Sequence, residues 1–432
     1  MNKPELLAPA GNWDCVRAAV ANGADAVYFG LDRFNARMRA DNFSVDDLGV
    51  LMPFLHAHGV RGYVTLNVLI FPDEMQAAAE YIHALESARV DGVIVQDMGL
   101  ATYVAQQRRE GNIRHLELHL STQMTLTCPE AVQLVDEMFD PQQIVLAREL
   151  SLREIEACAK ATRKPIEVFC HGALCVAYSG QCLTSESLGQ RSANRGECVQ
   201  ICRRKYDVTD VETGNELEVD NKYIMSPKDL KTIRFIDKMM DAGVRVFKIE
   251  GRARGPEYVD AVVRCYKEAI QYVVDRGQLT VDSGQRTVDS GQLTVDSREF
   301  AAKCDEWDER LARVFNRGFW DGYYLGQKLG EWNDAYGSKA TEKKVYCAKV
   351  IKYFSKLSVA ECQVEACEMN VGDRLLFTGP TTGALYVDCD EIRYELKPVS
   401  KAEQGWRISI KVPEKVRPND KVFVMQKTIG DK

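Results

Sequence analysis

Short apolar runs recur along the N-terminal three quarters of the chain, each ending in polar residues and followed by a stretch with helical spacing. Read as strands, they fall at 6–10, 26–30, 62–67, 92–97, 116–121, 143–148, 166–172 and 246–251. Near-continuous apolar strands alternating with helices imply a parallel sheet covered on both faces. Eight of them predict a closed (β/α)8 barrel of TIM type, with an open doubly wound sheet as the alternative. The segments GADAVYFG, ARVDGVIVQD and GVRVFKIEG repeat one theme, a helix end turning through small residues into a strand.

From about residue 340 the pattern shortens to alternating strands with turn residues between them, as in KVYCAKVIKYF and WRISIKV. That predicts a small antiparallel β-domain of barrel or sandwich type over 340–432. The barrel domain is expected over 1–335, with insertions at 173–226 and 277–297. The second insertion reads GQLTVDS-GQRTVDS-GQLTVDS. It has no apolar a/d seam and is expected to be an exposed loop or ragged hairpin without chemistry.

Composition adds bounds. Apolar residues make up 45% of the chain, enough for a large core, and the 28% charged residues are too dispersed to suggest disorder. No apolar run is long enough to span a membrane, and no charged-then-apolar leader opens the chain, so a cytoplasmic protein is expected. A net charge of −7 argues against a generally basic nucleic-acid binder, yet leaves room for a local basic patch.

The chemistry concentrates between Glu167 and Tyr206. Four cysteines there, Cys175, Cys182, Cys198 and Cys202, are spaced C-x6-C, x15, C-x3-C. Thiolates are soft ligands for zinc, copper(I) or iron–sulfur clusters. A zinc ribbon favours two tight C-x2-C hooks, so a four-thiolate cluster fits at least as well as zinc. Buried free thiols are the competing reading, and disulfides would need an oxidising compartment.

The same stretch, EVFCHGALCVAYSGQC followed by NRGECVQICRRKY, resembles the signature of the U32 peptidase family. The blocks FKIEGRARGPEYV (247–259) and FNRGFWDGYYLG (315–326) are similar to later blocks of that family. The resemblance implies one of two activities. One is oxygen-independent 5-hydroxylation of a tRNA wobble uridine, or of ribosomal RNA, with prephenate as the hydroxyl source. The other is a collagenase-like peptidase. For the first it implies a 4Fe–4S cluster on Cys175, Cys182 and Cys198, with Cys202 or a more distant residue as the fourth ligand, a small dicarboxylate in the barrel, RNA over a basic rim and a paralogous subunit as a further partner.

In such a barrel the functional residues sit at the carboxyl ends of the strands. Those positions hold Asn67, Gln123, Arg148, His171, Lys248, Glu250 and Arg252. Arg148, Arg252 and Lys248 are candidates to receive carboxylates, Asn67 and Gln123 to orient substrate, and His171, Glu250 and Lys248 to act in catalysis. Each has a plainer reading as an internal ion pair or a satisfied core histidine. Arg195, Arg203 and Arg204 beside the last two cysteines are candidates for phosphate contacts, as are Arg33, Arg37 and Arg39 after the second strand. H-E-x-x-H, G-x-S-x-G and Walker-type loops are all missing from the chain.

Overall fold

A computed structural model describes residues 3–38, 40–215, 223–282, 297–335 and 337–428. Seven parallel strands follow one another: β1 Glu5–Pro9, β2 Ala26–Gly30, β3 Arg61–Leu66, β4 Gly92–Val95, β5 Glu117–Leu120, β6 Gln143–Val145 and β7 Ile166–Ala173. A short strand, β8 Asp229–Lys231, pairs antiparallel with the end of β7. The eighth parallel strand, β9 Val244–Ile249, pairs with both β7 and β1. That double pairing closes the sheet, so the fold is the TIM-like barrel rather than the open sheet.

Closure follows from what the strands carry. One face of each strand packs against the helices, with Leu6, Val27, Phe29, Val64, Val93 and Phe247 fully buried in that outer core. The inward face carries a small apolar layer of Leu7, Ala26, Tyr28, Tyr63, Ile94 and Val246. Helix entries are set by local caps. Asn12 accepts from the Cys15 amide at 3.1 Å, Asp97 accepts from the Leu100 amide at 2.9 Å, and Ser151 with Glu154 forms a full capping box.

Ionisable residues crowd the barrel's lower end. Tyr63 donates to the Glu5 carboxylate at 3.0 Å, and the buried His119 bonds Glu117 at 3.0 Å. Burial is the largest influence on Glu5 and raises its carboxyl from 4.5 to about 7, against the pull of Arg61 and Tyr63; Glu167 and Asp25 add to the rise. The folded protein therefore keeps this proton to about pH 7, whereas the unfolded chain releases it near pH 4.5. The associated stability is fully present below pH 4.5 and is lost as pH rises to about 7, a change of about 3 kcal/mol at most. Replacing Glu5 with Gln should flatten the wild-type fall in melting temperature between about pH 5 and 7.5. Parallel pH–melting curves for the two proteins would refute it.

The heptad repeat departs from the sequence expectation at its start. The long helix Pro256–Asp282 runs through most of the first copy, so that copy is helical rather than a loop. A dipeptide spacing of Thr-Val between single turn signals does not stop a helix that tertiary packing has already nucleated. Residues 283–296 lie outside the described residues. Among the described residues no helix is long and apolar enough to cross a membrane.

The C-terminal region is an antiparallel eight-stranded sheet that starts with the strand Glu342–Phe354 and has its own core, including Cys347, Cys362, Phe377, Ile410 and Val422. It leans on the barrel through the helix Trp13–Ala21. Arg17 donates to the Pro380 carbonyl, and Lys344 pairs with Glu257 at 2.7 Å.

Candidate active site

A cavity of about 590 Å³ opens at the carboxyl ends of the strands. Its floor is the upper barrel, and its roof is the cysteine-rich strap that leaves β7. Of the sequence-selected residues, Asn67, Gln123, Arg148, Lys248, Glu250, Arg252, Arg203, Arg204 and all four cysteines line it. His171 and Arg195 do not.

The strap is irregular, built from short turns and the helical turn Thr184–Gly189, so its position depends on anchors. Arg195 supplies one, forming a two-pronged pair with Glu74 and donating to the Leu69 carbonyl. Gly196 supplies another. It sits at φ +87°, and a Cβ there would stand 2.2 Å from the Asn35 carbonyl oxygen. Only glycine allows that backbone approach. Arg203 donates to the Leu174 and Pro227 carbonyls at 2.6 Å and to the Ser226 hydroxyl at 3.1 Å. Arg195 and Arg203, expected from the sequence to meet phosphates, are thus engaged inside the protein. Only Arg204 of the three is exposed.

His171 also departs from its expected place. The pairing of β7 with β9 shifts register between Phe169 and His171. A bulge of this kind resets the side-to-side alternation, and the imidazole turns away from the cavity. It packs among Tyr258, Tyr266 and Phe319, with Nδ1 3.3 Å from the Tyr266 hydroxyl. Burial, then the nearby Lys231, push its pKa down to about 3. It is a neutral core histidine at physiological pH.

On the floor, Lys248 and Glu167 form a buried pair at 2.7 Å, and Gln143 donates to the other Glu167 oxygen. The Lys248 ammonium also lies 4.5 Å from the centre of the Tyr28 ring. Glu250 is buried deeper in charge than any sequence motif suggests. Arg37 pairs with it at 3.2 Å, and the Tyr28 hydroxyl lies 3.4 Å from its other oxygen. Burial alone would raise its pKa, but Arg37, Arg252, Arg148 and Lys248 together hold it below the usual carboxylate value. Glu250 is therefore an anion at neutral pH.

The lining holds seven arginines and Lys248 around that single carboxylate. Several of the cations are already engaged: Arg317 pairs with Asp229 at 3.2 Å, and Arg252 donates through Nη1 to Thr65 at 2.7 Å. Two buried guanidinium nitrogens are left over. Arg148 Nε and Arg252 Nε have no hydrogen-bond partner. A buried donor of this kind is satisfied by an added acceptor, whether ordered water or a ligand. Burial lowers the Arg252 pKa to about 10, still fully cationic at neutral pH. Arg37, expected from the sequence to meet phosphates, is instead paired with Glu250; Arg254 and Arg317 were not singled out by sequence reading. The signal for Arg254 and Arg317 lies in the blocks 247–259 and 315–326, but their meeting with Arg37 and Glu250 in one cavity depends on the closed barrel.

The four strap cysteines are all free and half-buried. Burial raises the Cys202 thiol, opposed by Arg203 and reinforced by Cys175, Cys198 and Cys182, so all three lie within electrostatic reach of it. The donor set suits a soft metal or cluster. Its arrangement is not that of a ready-made ligand sphere, because no three His, Cys, Asp or Glu among the described residues are grouped to hold an ion.

With this geometry in hand, the chain can be set beside known proteins. The model of peptidase family U32 matches residues 11–334. The chain belongs to peptidase family U32. A collagenase of Porphyromonas gingivalis is 45% identical to it over 439 residues, covering 99% of each chain. The 23S rRNA 5-hydroxycytidine C2501 synthase of Escherichia coli is 42% identical over 276 residues, 64% of this chain and 40% of the relative. The tRNA hydroxylation protein P1 of Bacillus subtilis is 40% identical over 273 residues, 62% of this chain and 63% of the relative. This U32 chain thus shares sequence with relatives named for two different chemistries.

Proposed function

We propose that this U32 protein is an RNA-modifying enzyme that hydroxylates carbon 5 of a pyrimidine in tRNA or ribosomal RNA without oxygen. One observation carries the reading: four thiols and a cation-rich wall around one carboxylate share a single cavity. Cys175, Cys182, Cys198 and Cys202 would hold a 4Fe–4S cluster, with the strap drawing them together on binding, and zinc is the lesser alternative. A cluster there supplies one-electron chemistry next to the bound substrate.

The chain's own residues have definable tasks. Arg148 and Arg252 receive the carboxylates of a dicarboxylate such as prephenate, the proposed hydroxyl source, through the guanidinium atoms left open. Asn67, which donates to the Gln123 side chain at 3.0 Å, fixes that amide pair beside them as a hydrogen-bonding rim for the substrate. Glu250, kept anionic, accepts a hydrogen bond or a proton from a substrate hydroxyl. Lys248 sets the positive potential of the floor.

The second reading, a collagenase-like peptidase, is favoured by the full-length similarity to the Porphyromonas gingivalis protein. It lacks a catalytic pair here. No histidine is found among the described residues lining the cavity, and His171 is caged outside it. Nucleoside mass spectrometry of RNA from cells lacking the protein separates the two. The 5-hydroxypyrimidine should vanish, and blocking prephenate synthesis should mimic the loss. An unchanged nucleoside profile together with gelatin cleavage by the purified, colourless protein would establish the peptidase instead.

A further inference from the structure

The strap begins with a turn held against its own backbone preference. Ser179 adopts φ +43° and ψ +31°, a left-handed conformation that non-glycine residues seldom take. Such conformations persist only where the surroundings enforce them, and they gather at functional sites. The enforcement is visible. The fully buried Ser179 donates its amide to Glu149 at 2.7 Å and its hydroxyl to the other Glu149 oxygen at 2.8 Å. The Arg148 amide donates to the same hydroxyl oxygen at 3.3 Å. On the far side, the Gln181 side chain donates to the Gln123 carbonyl at 3.0 Å and to Thr125 at 2.8 Å.

The consequence falls on Tyr178. With Ser179 pinned inward, the preceding ring is turned out and stands 71% exposed. Val176 and Gly180, each two residues away, line the cavity, so the exposed ring is carried on backbone that borders it. Arg204 is exposed on the same lining. An exposed aromatic ring beside a cation-lined cavity matches how proteins hold single-stranded RNA: a base stacks on the ring while cations take the phosphates.

We infer that Tyr178 is a stacking platform for an unpaired nucleobase at the cavity entrance, held in place by the Ser179–Glu149 clamp. This rests on the RNA reading of the site. An enzyme acting on a base must first take it out of its stack, and a ring at the rim gives the extruded base, or its neighbour, a surface to land on.

Fluorescence anisotropy with a labelled single-stranded oligouridine tests it, using the wild type, Tyr178→Ala, Tyr178→Phe and Arg204→Ala. Tyr178→Ala should weaken binding roughly ten-fold or more, and Tyr178→Phe should stay within about two-fold of wild type. The salt dependence separates stacking from charge. Tyr178→Ala should leave the slope of log affinity against log salt unchanged, whereas Arg204→Ala should make it shallower. Melting temperatures should match the wild type for both Tyr178 variants, since the ring is mostly exposed. Wild-type affinity in Tyr178→Ala overturns the platform and leaves the RNA reading standing. A wild-type protein that does not bind the RNA overturns both.

Discussion

Alanine at Cys175, Cys182, Cys198 or Cys202 should leave the anaerobically reconstituted protein without stoichiometric iron and sulfide. Alanine at Cys128 or Cys389 should leave the iron content unchanged. The contrast follows from position: the first four thiols line one cavity, whereas Cys128 caps a peripheral helix and Cys389 is fully buried in the β-domain. Cys202 is the most informative of the set, since its thiol is raised by burial and by all three partners. A thiol so placed is released as a thiolate when a cation takes the partners' charge. Iron and acid-labile sulfide assays, with the visible absorbance of the brown protein, give the answer independently of any activity. Stoichiometric zinc with no iron in the wild type would overturn the cluster.

The second large effect is on stability. Lys248→Met should destabilise the protein by about 3–5 kcal/mol, because it strands a buried carboxylate. Glu167 is fully buried, and its side-chain contacts are Lys248 at 2.7 Å and Gln143. Removing the charge as well, in Lys248→Met/Glu167→Gln, should recover much of that loss, since the pair's own net value is small compared with the cost of leaving one member alone. Chemical denaturation of both single variants and the double variant measures the coupling. A Lys248→Met protein within about 1 kcal/mol of wild type would show that water or another cation already serves Glu167.

The barrel was legible because its signal is local and repeated. Each strand's apolar run and each helix's cap lies within about a dozen residues, and the alternation recurs eight times. The cysteine set was legible for the same reason, as its members are close in sequence. His171 was misplaced because its direction depends on a register shift against β9, a strand about eighty residues away. Arg195 and Arg203 read as free cations because their partners, Glu74 and the Leu174 and Pro227 carbonyls, carry no mark of pairing in the sequence. The first heptad copy read as a loop because helix propagation from the preceding turns cannot be seen in a window of seven residues.

By itself, then, the order of residues determined the kinds of element, their alternation, the antiparallel character of the C-terminal region and the clustering of four cysteines beside polar strand ends. The tertiary structure decided which of those polar groups meet. Arg37 reaches Glu250 across 213 positions, and closure of β9 onto both β1 and β7 brings them together. It also decided the charge state of the site, because burial and the sum of neighbouring cations, rather than residue type, keep Glu250 anionic and His171 neutral. Hydrophobic periodicity is a short-range property and can be read along a chain, whereas electrostatic environment is set by groups brought together from everywhere in it.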